Sequence, residues 1–458
     1  MSYAPTAVDR SRLPPLQPVP PFAFPAIAKS TLHNGLKVWT ARHAVVPMTG
    51  LLLLIRRGAS ADLPGREGLA AFTADMLDEG VGSLSAIEVH QELSRIGVQL
   101  DTDIGADAMM FGLTSLSKFT GRALAFLGDL VVRPALREDD FVRVRQQRVH
   151  RLIQMRDMPG AIAERAFARL LFGKTPYGHT PLGNETSLSA ITVDDVRAFH
   201  RRAIHPEDAT LVAVGDCDHE SIRSLAQAAF GEWSGGGDPL PAAPGVLPQP
   251  ARLNVFTRPG APQSELRIGH VAVSRSTPDY HALVAANIVL GGQYVSRVNL
   301  NLRAEKGITY GVRTAFEFRR APGPFVLSVS VDKAATALAI SESIREISEI
   351  RGARPVSADE LAIGIAALTR GYAKNFETFD QVARAIAQLS LFDLPDSFYS
   401  EFVPRIEALT PEDVTRAAAQ HLDPSRLTTL VVGDVDTTSQ EFDRLELGAA
   451  ALVPPDSI

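Results

Sequence analysis

An α+β fold built twice over, each half an antiparallel-rich sheet packed with helices, is predicted for this 458-residue chain by three features of its sequence. The first is a repeat. Thr192, Asp195, Val196, Pro206, Thr210, Val214, Gly215, Asp216 and Asp218 recur without a gap, 218 positions later, as Thr410, Asp413, Val414, Pro424, Thr428, Val432, Gly433, Asp434 and Asp436. In both copies a capped helix leads through a Pro turn into a β-rich run ending in Gly-Asp, and a period this long marks duplicated domains, not a solenoid. The second is the order of signals within each copy, where strand runs are partly consecutive and alternate with helical periodicity, so that helices must lie on a sheet. The third is Trp233-Ser234-Gly235-Gly236-Gly237-Asp238-Pro239, which opens a Gly- and Pro-rich segment reaching Pro250, the chemistry of a linker. The resulting division is an arm at 1–30, a first half at 31–233, a linker at 234–250, a second half at 251–440 and a tail at 441–458. The halves are expected to be separate folding units.

Taken in order, Pro5, Pro14, Pro15, Pro18, Pro20, Pro21 and Pro25 favour an extended arm. The run Ser30 to Trp39 reads as strand, Asn34-Gly35 hairpin turn and strand. Gly50 to Ile55 is nearly all apolar and should be a central strand buried on both faces. A helix from Ala86 to Ile96 starts at a Ser85/Glu88 capping box and stops at Gly97. Strands follow around Val98–Ile104 and Ala108–Leu113, then helices from Arg122 to Val132 and from Asp139 to Met155, the latter with Phe141, Val144, Leu152 and Met155 on one face. Pro176 to Gly183 is a loop. The second half repeats the pattern with helices at Tyr280–Leu290 and Val295–Arg303 and strands at Gly311–Phe318 and Phe325–Val331.

Composition narrows the function. A formal charge of −6 without long single-sign runs gives no footprint for nucleic acid. The single cysteine, Cys217, excludes an internal disulfide and a cysteine-built metal cluster, and is expected at a strand end. No membrane span is expected, since no apolar run has the required length, and Met1-Ser2-Tyr3 begins no basic-then-apolar leader. These features favour the cytoplasm, with the periplasm open to a chain whose signal peptide has been removed.

The chemistry centres on Gly68-Leu69-Ala70-Ala71-Phe72-Thr73-Ala74-Asp75-Met76-Leu77. Apolar residues at 69, 72, 76 and 77 fit one helix face, with the turn chemistry of Asp62, Pro64 and Gly65 before it and Gly80 after. The run resembles the zinc-binding helix of the pitrilysin and mitochondrial-processing-peptidase family, in which a Gly-Leu-Ala lead precedes H-x-x-E-H and an apolar pair. That motif sets two imidazoles one turn apart, with a Glu beside the second as base. Here its positions hold Ala71, Phe72, Thr73, Ala74 and Asp75, so no imidazole and no base is present. The third ligand of the family, a Glu some eighty positions on, falls on Leu152. Only Asp75 offers a donor, and one carboxylate keeps little of the roughly 10 to 16 kcal/mol of a closed four-ligand structural zinc site. No metal or other cofactor is therefore expected in this chain. His179, His200, His205 and His219 lack ligand spacing and are expected as surface or core residues.

The second half resembles the family more closely. Leu290-Gly291-Gly292, Ser296-Arg297 and Leu302-Arg303 through Tyr310 match a run whose paired Arg and Tyr, seven positions apart, reach towards the zinc and contact the peptide. By that resemblance Arg303 would hold a peptide carbonyl or carboxylate and Tyr310 would donate to a developing oxyanion. For an isolated Arg and Tyr at these places, a helix-end cation and a half-buried strand aromatic would be the plainer readings. Glu305 and Lys306 read as a solvated turn. The resemblance spans about Ser30 to Asp436 and implies the non-zinc subunit of a heterodimeric zinc endopeptidase. Its partner would be a homologous subunit with an intact H-x-x-E-H and zinc, and its substrates peptides. The alternative is an inactive structural or peptide-binding member, similar to the core subunits of the respiratory ubiquinol-cytochrome c reductase. An autonomous enzyme with a displaced metal ranks last.

Overall fold

The structure, a computed structural model, describes residues 11, 22–235, 247–437 and 440–455. Most of the expected arm and residues 236–246 of the expected linker lie outside them. Strands β1 (Ile27–Thr31), β2 (Lys37–Arg42) and β3 (Met48–Ile55) open the first half. A two-stranded hairpin, β4 (Gly80–Val81) with β5 (Leu84–Ser85), leads on to β6 (Leu100–Ile104), β7 (Met109–Leu116) and β8 (Ala209–Gly215). The second half supplies β9 (Leu253–Thr257), β10 (Gln263–Val271), β11 (Val312–Phe316), β12 (Pro324–Asp332), β13 (Thr428–Gly433) and β14 (Ala451–Leu452). They form two six-stranded sheets, ordered β6-β7-β3-β8-β2-β1 and β11-β12-β10-β13-β9-β14.

The orders correspond strand for strand, and in each sheet one inner pair, β2/β8 or β9/β13, is parallel. The duplication is thus written in topology as well as sequence. Its Thr caps are also repeated: Thr192 accepts from the Asp195 N–H and Thr410 from the Asp413 N–H, each in a reciprocal capping box. The halves differ at one edge. In the first it is filled by β1, folded back on β2 by the Asn34-Gly35 turn, where Gly35 has φ +90°. In the second it is filled by β14, so Ala451–Leu452 of the segment expected as a tail belong to the sheet.

Helix α1 (Leu69–Asp75), α2 (Ala86–Arg95), α3 (Thr120–Val132), α4 (Glu138–Met155) and α5 (Pro159–Phe172) follow in the first half. Along β3 the side chains alternate: Leu51, Leu53 and Ile55 join the core beneath α1 and α3, while Leu52 and Leu54 face the other way. That second face is covered by the helix Phe379–Leu391 of the other half, through Val382, Ala383 and Ile386 against Leu52, Leu54, Val212 and Val214. The exchange is reciprocal. Ile162, Ala166 and Phe167 of α5 cover Val271, Val326, Leu430 and Val432 of the second sheet.

Each half thus lends a helix to close the other's core, a packing that ties the two expected folding units together. Phe22 and Phe24, ahead of β1, add to the clasp by packing on Tyr372, Phe376 and Tyr399. Ile386→Ala should destabilise by about 2–5 kcal/mol, as for other large-to-small core changes, and calorimetry should show one transition moving as a whole. Two transitions with only the second displaced would contradict the clasp.

Two expected second-half helices end in wider turns. The first is α-helical over Tyr280–Asn287 and closes in a π turn at Ile288–Gly292; the second begins as Arg297–Asn299 and continues as a π turn at Leu300–Glu305. Gly291 is required in the first, because a Cβ there would lie 2.5 Å from Thr314 Oγ1. Asn299 braces the second: its side chain accepts from the Val312 N–H at 2.9 Å and donates to the Val312 and Gln293 carbonyls.

Candidate functional site

The α1 helix is seated by a buried carboxylate. Asp62, its side chain 1% exposed, accepts from the backbone N–H of Gly68 and of Ala70, each at 2.6 Å, and so satisfies donors that a helix start leaves open. His179, on the Pro176–Gly183 loop, lies with Nε2 3.0 Å from the same carboxylate and 3.1 Å from the Ala59 carbonyl. Gly68 has φ +97° and packs against the backbone of Leu182 and Gly183, which leaves no room for a side chain. The loop is thereby fixed over the helix.

On this helix Ala71 and Ala74 are buried, and Phe72 stacks on Phe141 of α4 at 4.9 Å. Leu152 of α4 is buried in the same core. The remaining donor, Asp75, is bound by Arg148, whose Nη1 stands 2.5 Å from Oδ2. Arg148 is only 6% exposed; its other terminal nitrogen donates to the carbonyls of Pro181 and Leu182 at 2.9 and 3.3 Å. The side chains brought together here are two methyl groups, a leucine, and a carboxylate held by a guanidinium. This donor set does not fit zinc. Among the described residues, no three His, Cys, Asp or Glu side chains converge as a metal-ligand group.

The pair borders a cavity of about 310 Å³, also lined by Ala71, Arg151, Arg165 and Leu182. Burial lowers the pKa of the half-buried Arg165 guanidinium. Just past α1, burial and the neighbouring Glu79 push the Asp78 carboxyl up to about 6. Arg148 is the residue that sequence reading passed over. Its spacing was the available signal, since it lies four residues from both Val144 and Leu152 and must share their buried face.

The second-half residues have the opposite character. Tyr310 is 96% exposed, in a bend before β11, so the half-buried strand aromatic is excluded. The Arg303 guanidinium lies 3.7 Å over the ring centroid of Tyr294, itself 65% exposed, and Val295 and Leu300 are exposed apolar neighbours in the chain. Other parts of the motif run are structural. Arg297 is buried and donates to both oxygens of Glu360 at 2.7 Å and to the Arg354 and Pro355 carbonyls. Burial pushes the Glu360 carboxyl up, but the bonds from Arg297 and Ser357 outweigh it and hold it down at about 2. Lys306, expected as solvated, is instead half-buried and donates to Asn301 Oδ1 at 2.7 Å, with Glu342 at 3.4 Å. Among the four histidines weighed as metal ligands, His200 bonds the Val131 carbonyl and His205 lies 3.1 Å from Asp208. His219 Nδ1 is 2.9 Å from Thr40 Oγ1.

Residues 37–185 match the family profile described as Insulinase (Peptidase family M16), and residues 190–368 match the Peptidase M16 inactive domain. An uncharacterized zinc protease of Streptomyces coelicolor is 22% identical over 293 residues, covering 62% of this chain and 63% of that protein. The chain thus spans somewhat less than two thirds of that relative. An uncharacterized zinc protease of Mycobacterium bovis is 26% identical over 311 residues, 67% of this chain and 70% of the relative. Among solved structures, a peptidase M16 inactive domain from Pseudomonas fluorescens superposes with a TM-score of 0.83 at 23% identity, covering 90% of this chain and 98% of the other. A protease from Helicobacter pylori does so with a TM-score of 0.83 at 19% identity, covering 89% and 99%. Among the described residues, no helix is long and apolar enough to cross a membrane.

Proposed function

We propose that this chain, which belongs to the peptidase M16 family, is the zinc-free subunit of a two-subunit zinc endopeptidase and completes its partner's active site with Arg303 and Tyr310. One observation carries this reading. Where the family motif would place ligands and base, the chain has Ala71, Ala74, Leu152 and an Asp75 bound by Arg148, while Tyr310 stands almost wholly in solvent. The Arg148–Asp75 pair supports the reading of this place as structural. The exposed Tyr310 phenol, and the Arg303 guanidinium over the exposed Tyr294 ring, support the reading of this part of the chain as a contact surface.

The partner in this proposal is a homologous subunit with an intact H-x-x-E-H, which would hold the zinc and the base. This chain's residues would do the rest. The Arg303 fork would grip a peptide carbonyl or carboxylate, and its cation already rests over the Tyr294 ring. The Tyr310 phenol would donate to the oxygen on which charge builds up. Cleavage of a quenched peptide tests the proposal. The chain alone should show none, and adding it to a zinc-bearing homologue from the same cells should restore turnover. A chain that cleaves by itself, or a homologue indifferent to it, would refute the assignment.

A further inference from the structure

A second site stands out where the halves meet, far along the chain from the motif helix. Arg275 is only 8% exposed, yet among the described residues no carboxylate pairs with it. Its guanidinium lies 3.6 Å over Tyr280 and 4.6 Å over Phe398. Cation–π contacts satisfy the faces of a guanidinium and none of its edge N–H donors, and a buried cation without an anion is costly. Burial correspondingly lowers the Arg275 pKa. Its side chain instead lines a cleft of about 370 Å³, at the lower end of small-ligand sites.

Two carboxylates also line the cleft, and both are already hydrogen-bonded. Asp107 from the first half spends one oxygen on the Tyr177 phenol at 2.6 Å and the other on the Arg320 backbone N–H at 2.8 Å. Asp393 is taken by both terminal nitrogens of Arg56, at 3.0 and 2.5 Å. The Arg320 side chain also lines the cleft, without an ion pair among the described residues. Hydroxyl donors stand at the walls from both halves, Ser60 on one side and Ser274 with Ser276 on the other. Two guanidiniums and several hydroxyls therefore face a space whose carboxylates are already engaged.

We propose that this cleft binds a small oxyanion, a phosphate or carboxylate group, on the edge of Arg275 with Arg320 as its second contact. Such a ligand bridges residues of both halves and so tightens the clasp. Charge-assisted bonds from a guanidinium are the strong kind, and a preformed arginine already fixed by its rings loses little freedom on binding.

The test is calorimetric titration of the full chain, with thermal unfolding in parallel, at ionic strength held constant with chloride. The probes are inorganic phosphate, N-acetylglycine, and N-acetylglycinamide as the neutral control; phosphate against N-acetylglycine separates the two sources of the anion. At least one oxyanion should bind the wild type at a single site and raise its melting temperature, while the amide does neither. Arg275→Met, which keeps the packing volume, and Arg320→Gln should each weaken that binding by about tenfold or more. If Arg275→Met does not fold, Arg320→Gln decides alone. Absence of binding by both oxyanions, or binding by the folded variants equal to the wild type, overturns the proposal.

Discussion

Tyr310→Phe should leave the proposed pair assembled and slow its peptide cleavage by on the order of 10² to 10³-fold, the loss seen when one oxyanion donor is removed from a dry site. The substitution deletes one hydroxyl at a position 96% exposed in the free chain, so nothing in the fold depends on it. The loss should fall on kcat, because the bond is strongest where charge is largest. Arg303→Ala should act mainly on KM, since a fork that positions substrate binds ground and transition states alike. Arg303→Lys should rescue poorly, because an ammonium is a point charge without the planar fork that holds a carbonyl with two donors. Size exclusion separates these effects from failed assembly. Variants that assemble and cleave as the wild type does would make this chain a structural companion.

The second large effect concerns the first half. Ala71→His, Ala74→Glu, Asp75→His and Leu152→Glu together write the family motif back, yet this fourfold variant should still bind almost no zinc. The obstacle is Arg148, which now neutralises Asp75 from 2.5 Å and would be left as a buried cation beside the rebuilt ligands. Two like unit charges about 4 Å apart cost about 4 kcal/mol at an effective dielectric of 20, and a divalent ion about doubles that. Three ligands hold less than the roughly 10 to 16 kcal/mol of a closed four-ligand site, so a penalty of about 8 kcal/mol leaves binding too weak to survive desalting. Adding Arg148→Met, which fills the same space without charge, should bring zinc towards one per chain by elemental analysis. One tightly held zinc in the fourfold variant with Arg148 intact would show that the arginine is no barrier.

Sequence legibility followed the range of the interactions. The Asn34-Gly35 hairpin, the Ser85/Glu88 capping box and the twice-buried β3 could be read because turn, cap and burial pattern are local. That Ala71, Ala74 and Leu152 carry no donor atom could be read directly, since a side chain's chemistry needs no fold to express it. What could not be read lies between distant segments. Nothing in Pro159–Phe172 or Phe379–Leu391 says that each helix closes the other half's sheet, since an apolar face does not name its counterpart. Likewise Arg148 acquires its role only beside Asp75 and the Pro181 carbonyl, 73 and 33 residues away. His179 reads as one loop histidine among several until Asp62 is placed against it.

Purification from the native cells through a tag on this chain, followed by mass identification and zinc analysis of the isolated complex, tests the central claim most directly. The account requires a one-to-one complex with a homologous chain carrying H-x-x-E-H, about one zinc for each pair, and loss of zinc when that partner's motif is mutated. A complex of this chain with itself that holds a zinc in every copy would contradict it.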